Sequence, residues 1–317
     1  MSTTRGGRPP PISASPPERP EGTHSLGDRA ELLTEAAVKP YLTQLSEHSD
    51  APLALNVHLP FCPSRCLSCD RIAVVQHQPG EIDRYVTNLA NELARISELI
   101  GHRRALSRVH LGGGSPNHLS ELALATVFSQ IDEHFVVDAS TQFSMELNPR
   151  RTSRAQLNFL KGLGVEHIKL EVRDVDASVQ REIGRIHSLE LLEDVISIAH
   201  GVNFESVGMD YLVGLPGQTV ESCAQSIEAI LSLRPDWLVC LPFHMRESLF
   251  PHQIAVDSRR LPSLTDRMVM FNHVQTDLTK AGYEWVGLNM FAKPQHELAV
   301  AQREGKLALN VLGYGTD

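Results

Sequence analysis

Three cysteines carry the most specific chemistry in this sequence. In Asn56-Val57-His58-Leu59-Pro60-Phe61-Cys62-Pro63-Ser64-Arg65-Cys66-Leu67-Ser68-Cys69 a strand-like segment delivers the chain directly into a CxxxCxxC loop. Three thiolates can ligate three irons of a 4Fe-4S cubane and leave the fourth iron with open positions, whereas a closed zinc site wants four ligands. An iron with open positions can bind and reduce a further ligand, so the loop points to redox chemistry. The competing readings are a zinc site completed by His58 or His77, or three unrelated cysteines. The other two cysteines read as core: Cys223 shares a helical face with Val220, Ile227, Ile230 and Leu231, and Cys240 lies in the apolar run Trp237-Leu238-Val239-Cys240-Leu241. An odd total of five, with three packed into eight residues, fits a metal or redox site in a reducing compartment better than a disulfide framework.

Further candidates sit at the ends of other strand-like runs. Val109-His110-Leu111-Gly112-Gly113-Gly114-Ser115-Pro116 ends in glycines, where missing side chains let backbone groups approach a ligand closely. The alternative is a tight strand-to-helix turn. Glu146, between Met145 and Leu147, alternates to the face opposite those apolar neighbours, where it is either a ligand contact or a solvated acid at the strand end. Arg185 follows Gly184 at the end of a short helix, as a ligand contact or a surface residue, and Asp210 lies inside the apolar strand Met209-Asp210-Tyr211-Leu212-Val213. A charge in that setting is costly unless paired or bound, which makes Asp210 a candidate ligand contact, with a structural salt bridge as the alternative.

Positioning these residues requires a repeated strand-then-helix unit, and the sequence supplies one beyond Ala51. Strands are expected near 54–59, 107–111, 142–147, 166–172, 206–213, 237–242 and 284–289, with helix starts such as Ser120 and Ser153 between them. Such alternation implies parallel strands forming an α/β open or partial barrel, with chemistry at the strand C-terminal ends. Residues 1–28, rich in Pro, Ser, Gly and Arg, read as a disordered tail, and 29–50 as a helical lead-in to a domain over 51–290. With 317 residues, 42% of them hydrophobic, the chain can bury a substantial core. A net charge of -9 gives no basic field for nucleic acid or an anionic membrane. No apolar run reaches the roughly eighteen residues of a membrane span, and the start lacks a signal-peptide core, so a cytoplasmic, monomeric protein with a small-molecule substrate is expected.

The cysteine loop with its preceding HLPFC resembles that of the radical S-adenosylmethionine superfamily. Within it the chain is most similar to the oxygen-independent coproporphyrinogen III oxidase (dehydrogenase) family, through VHLPFC, HLGGGSPN, SMELNPR, VQREIGR, MDYLVGLPGQT, and Phe291-Ala292-Lys293-Pro294 with HELAVAQREGKL. The resemblance implies a partial (β/α)6-type barrel, a 4Fe-4S cluster on Cys62, Cys66 and Cys69, and S-adenosylmethionine in contact with Gly113, Gly114, Ser115, Glu146, Arg185 and Asp210. It assigns no catalytic side chain beyond the cluster. In that family one electron splits the cofactor's C–S bond, and two propionates of coproporphyrinogen III are decarboxylated to vinyls, giving protoporphyrinogen IX for haem synthesis. A tetrapyrrole substrate and a flavodoxin- or ferredoxin-like electron donor are the implied partners.

The chain departs from the family in several places. Asn56 replaces a Tyr, Arg71 replaces a further Cys, and Lys169-Leu170-Glu171-Val172-Arg173 stands where the family has SMGVQ. Residues 291–317 begin the family's post-barrel segment but stop at Gly315-Thr316-Asp317, so the family's C-terminal helical domain is expected to be missing. These departures leave open a haem-binding, chaperone-like protein or a catalytically degenerate paralogue.

Overall fold

The computed structural model describes residues 39–44, 51–75, 77–101, 103–310 and 313–315. The tail expected over 1–28, most of the lead-in, and Thr316-Asp317 lie outside the described residues; within the lead-in, 39–44 is helical.

Strand-helix alternation runs as the sequence pattern demands. The elements are β1 (Leu53–Leu59), α1 (Glu81–Leu99), β2 (Leu106–Gly113), α2 (Glu121–His134), β3 (Gln142–Leu147), α3 (Arg154–Gly162), β4 (Val165–Arg173), α4 (Ala177–Glu182), α5 (Leu189–Gly201), β5 (Ser206–Val213), α6 (Val220–Ser232), β6 (Trp237–Pro242), α7 (Leu264–Lys280), β7 (Glu284–Gly287), β8 (Met290–Ala292) and α8 (Glu297–Glu304). A short antiparallel pair, β9 (Ala308–Asn310) and β10 (Gly313–Gly315), follows. The expected helix starts are real caps: Ser120 Oγ accepts from Ala123 N, and Ser153 Oγ accepts from Gln156 N, each at 3.2 Å.

The main sheet has the order β1-β2-β3-β4-β5-β6-β8-β7, and its first six strands are parallel neighbours in sequence order. One face of each strand packs under the helices in a single apolar core that includes Leu111, Met145, Leu147, Ile168, Leu170 and Met209. Cys223 and Cys240 are both buried in it, as expected, and burial raises both thiol pKa values, that of Cys223 to about 11. The opposite faces of β1 to β6 line one shared cavity, so the sheet curls into a partial barrel.

One expectation changes at the end of the sheet. The single parallel strand foreseen near 284–289 is instead a hairpin of β7 and β8, with β8 antiparallel to β6. Leu288 and Asn289 both have positive φ, at 45° and 62°, which makes the tight two-residue turn possible. Phe291 and Ala292, placed by sequence after the barrel, are therefore sheet residues, and the sheet runs past residue 290.

Candidate functional site

The cysteine loop leaves the C-terminal end of β1 and is fastened on several sides. Cys62 N donates to Val74 O at 2.9 Å, Val74 N to Pro60 O at 2.8 Å, and Leu67 N to Ile183 O at 2.9 Å. Gln253 Nε2 and His252 Nε2 both donate to Cys69 O, at 2.9 and 2.8 Å. Phe61 is buried beneath the loop and meets Tyr85 and His77 edge-on. These contacts fix the backbone that presents the thiols, all three of which are free and partly buried.

Burial pushes the Cys62 and Cys69 thiols up, against the contacts of Cys62 with the Ser115 side chain and of Cys69 with the Arg71 backbone. Cation charge stands ready for their thiolates: Arg185 Nη1 lies 3.3 Å from Cys66 Sγ, and Arg150 lies close enough to feel Cys66 and Cys62. This donor set suits a cluster bound through three thiolates. The imidazoles considered for a zinc site are engaged elsewhere, His58 Nε2 donating to Ile72 O at 3.1 Å and His77 packing between Phe61 and His118.

The glycine turn after β2 is shaped by its own neighbours. Gly114 N donates to Leu59 O at 2.8 Å, and a Cβ on Gly114 would come 2.5 Å from the Pro60 carbonyl carbon. Gly113 has φ +107°, and a Cβ there would strike the His58 ring. Absent side chains thus let this turn press against the start of the cysteine loop and place Ser115 Oγ 3.7 Å from Cys62 Sγ.

Glu146, Glu171 and Asp210 form the acidic heart of the site, and each already holds a cation of this chain. Arg71 grips Glu146 with both prongs of its guanidinium, and Lys169 joins the same carboxylate. Burial works to raise the Glu146 carboxyl, but Lys169 and Arg71 overcome it and hold the group well below the usual carboxylate range. Glu171 lies 3.2 Å from Arg173 Nη2, 3.6 Å from Arg185 Nη2 and 3.9 Å from Arg71 Nη1, and burial leaves its carboxyl raised. Asp210 accepts from Val172 N and Arg173 N through Oδ1, at 2.8 and 3.1 Å. Its Oδ2 is ion-paired to Arg173 Nη1 at 3.1 Å, yet it is a buried acceptor without a hydrogen-bond donor.

The salt bridge weighed for Asp210 is therefore present, while Oδ2 keeps capacity for a ligand donor. Arg185, turned inward after α4, donates through Nε to Glu171 O at 3.0 Å and bridges the carboxylates to the thiol loop. Arg71, Lys169 and Glu171 escaped the sequence reading as a charge network, because alternation shows which face a residue takes but not its partner.

Below the charges the barrel encloses a cavity of about 630 Å³. Asn56, Arg108, His110 and His167 line it with Trp237, Met290 and His296. The HELAVAQREG block closes its floor: Glu297 lies 3.5 Å from Arg108 Nη2 and accepts from Gln142 Nε2 at 2.7 Å. Among the described residues no helix is long and apolar enough to cross a membrane.

Known proteins place this arrangement. The model of the radical SAM superfamily matches residues 56–230. Oxygen-independent coproporphyrinogen III oxidase of Salmonella typhimurium is 32% identical over 276 residues, covering 87% of this chain and 60% of that protein. The Synechocystis enzyme of the same name is 31% identical over 86% of this chain and 58% of its own length. The solved structure of coproporphyrinogen III oxidase (HemN) from Escherichia coli superposes with a TM-score of 0.84 at 31% identity, covering 90% of this chain and 64% of that one. The chain thus spans about three fifths of the length of its curated relatives. A superfamily match over more than half the chain, on a parallel barrel with a three-thiol loop at the end of β1, shows that this chain belongs to the radical S-adenosylmethionine superfamily, whose cofactors are a 4Fe-4S cluster and S-adenosylmethionine.

Proposed function

We propose that the chain is a radical S-adenosylmethionine oxidoreductase of the coproporphyrinogen III oxidase type, which decarboxylates propionate side chains of a tetrapyrrole to vinyls. The observation that carries this reading is the 32% identity to such an enzyme over 87% of the chain, coupled to a cavity of about 630 Å³ whose lining includes Gly113 and Glu146. In this reading Cys62, Cys66 and Cys69 hold the cluster, and Gly113, Gly114, Ser115, Glu146, Arg185 and Asp210 receive S-adenosylmethionine. The bound pair supplies a one-electron route to hydrogen-atom abstraction, with a flavodoxin- or ferredoxin-like donor as the electron source.

The chain's own groups would bind and orient. Arg108 lines the cavity and is suited to a carboxylate side chain, while Trp237, Val239 and Leu241 offer an apolar wall to a macrocycle. His167 and His296 are held neutral there, chiefly by burial, which keeps them from adding charge.

A second reading, a tetrapyrrole-binding or degenerate paralogue without turnover, is favoured by the guanidinium groups of Arg71 and Arg173 on the carboxylates assigned to the cofactor. Anaerobically reconstituted protein under dithionite separates the two. Release of 5'-deoxyadenosine that rises with coproporphyrinogen III is the expected result; a loaded cluster with no release would leave the second reading standing.

A further inference from the structure

Arg71 is on the segment after Cys69, and its guanidinium reaches across to β3. One prong donates to Glu146 Oε1 at 3.0 Å, the other pairs with Oε2, and the same side chain comes within 3.9 Å of Glu171. Its side chain is 26% exposed, while that of Glu146 beneath it is 3% exposed. Both line the cavity beside Gly112 and Gly113. With its fork on both oxygens, Arg71 occupies the positions that a ligand donor to Glu146 would take.

A guanidinium on a carboxylate is a strong competitor, because its planar fork satisfies both oxygens at once. It is also a removable one here. If Arg71 leaves, Glu146 keeps Lys169 and the Gly113 N–H at 3.4 Å, with His110 Nε2 at 3.8 Å. Glu171 likewise keeps Arg173 and Arg185. Removing Arg71 strands no buried charge, which is the usual large cost of breaking such a pair. Arg173 differs: its side chain is 11% exposed, its backbone has φ +74°, and Asp210 fixes both its N–H and its guanidinium.

We propose that Arg71 is a displaceable latch over Glu146, closing the S-adenosylmethionine site until its guanidinium swings out. The inference rests on the assignment of Glu146 to that cofactor. A latched site binds more weakly in proportion to the fraction of molecules that are open, so loosening the latch tightens binding without any new contact.

The test is equilibrium dialysis of labelled S-adenosylmethionine against the full chain, anaerobically reconstituted, with bound iron measured on every sample. Arg71→Ala should bind about tenfold more tightly than wild type at equal iron content. Arg71→Lys, which keeps the charge but loses the fork, should gain less, and adding Glu146→Gln to Arg71→Ala should abolish the gain. Equal or weaker binding by iron-loaded Arg71→Ala overturns the latch; if that variant fails to load iron, equal or weaker binding by Arg71→Lys does so. Binding to wild type with no gain in the variants removes the latch alone. Absence of binding to every iron-loaded form removes the cofactor assignment of Glu146 as well.

Discussion

At the scale of single residues, the site depends on where side chains are missing as much as on where they are present. Gly114 has no Cβ because the Pro60 backbone occupies that space, and a backbone neighbour cannot rotate away as a flexible side chain can. Gly114→Ala should therefore push the glycine turn off the cysteine loop and destabilise the protein by about 2 kcal/mol, the usual scale of overpacking. A urea midpoint unchanged from wild type would show that the contact is not tight. Residue types and spacing alone made the three thiols, Glu146 and Asp210 legible as candidates. Which cation meets which acid was not legible, since Arg71, Lys169, Arg173 and Arg185 come from three separate stretches of chain and meet only through the curl of the sheet.

At the scale of elements, α8 carries an unusual cap with a built-in pH response. His296 is its N-cap residue, and Nδ1 accepts from Leu298 N at 3.2 Å. That role needs the neutral ring, and protonation would put an N–H where an acceptor is required. Burial lowers the His296 pKa to about 4, with Glu297 and Asp236 pulling it up and His167 and Arg108 pushing it down. A depressed histidine contributes stability that is complete above its unfolded value of roughly 6.5 and is lost as pH falls toward the folded value. We expect thermal stability to decline between pH 6.5 and 4, with His296 contributing on the order of 2 kcal/mol after allowance for partial exposure to the cavity. His296→Asn, which can cap without titrating, should show a shallower decline; a profile as steep as wild type would exclude the histidine cap as its source. The β7-β8 hairpin was hidden in the sequence for a comparable local reason: Leu288 and Asn289 take positive φ without the Asn-Gly or Asp-Gly pair that usually announces such a turn.

At the scale of the whole molecule, parallel strand order follows from regular strand-helix alternation, and that pattern was plain in the sequence. Met145 and Leu147 face the helices while Glu146 faces the cavity, so one strand builds the core and the site together. The same alternation in β4 places Ile168 and Leu170 in the core and Lys169 in the cavity. What alternation cannot supply is the closure of the cavity floor, which comes from α8 through Glu297, 189 residues from its partner Arg108. The result is a barrel whose open strand ends converge on one thiol loop, and the central claim is that this loop holds an iron-sulfur cluster. The direct measurement is iron, sulfide and zinc content of anaerobically prepared protein, alongside its visible spectrum and that of Cys66→Ala. About four irons and four sulfides per chain with a brown absorption band, lost in Cys66→Ala, is the predicted result; colourless protein carrying stoichiometric zinc would contradict it.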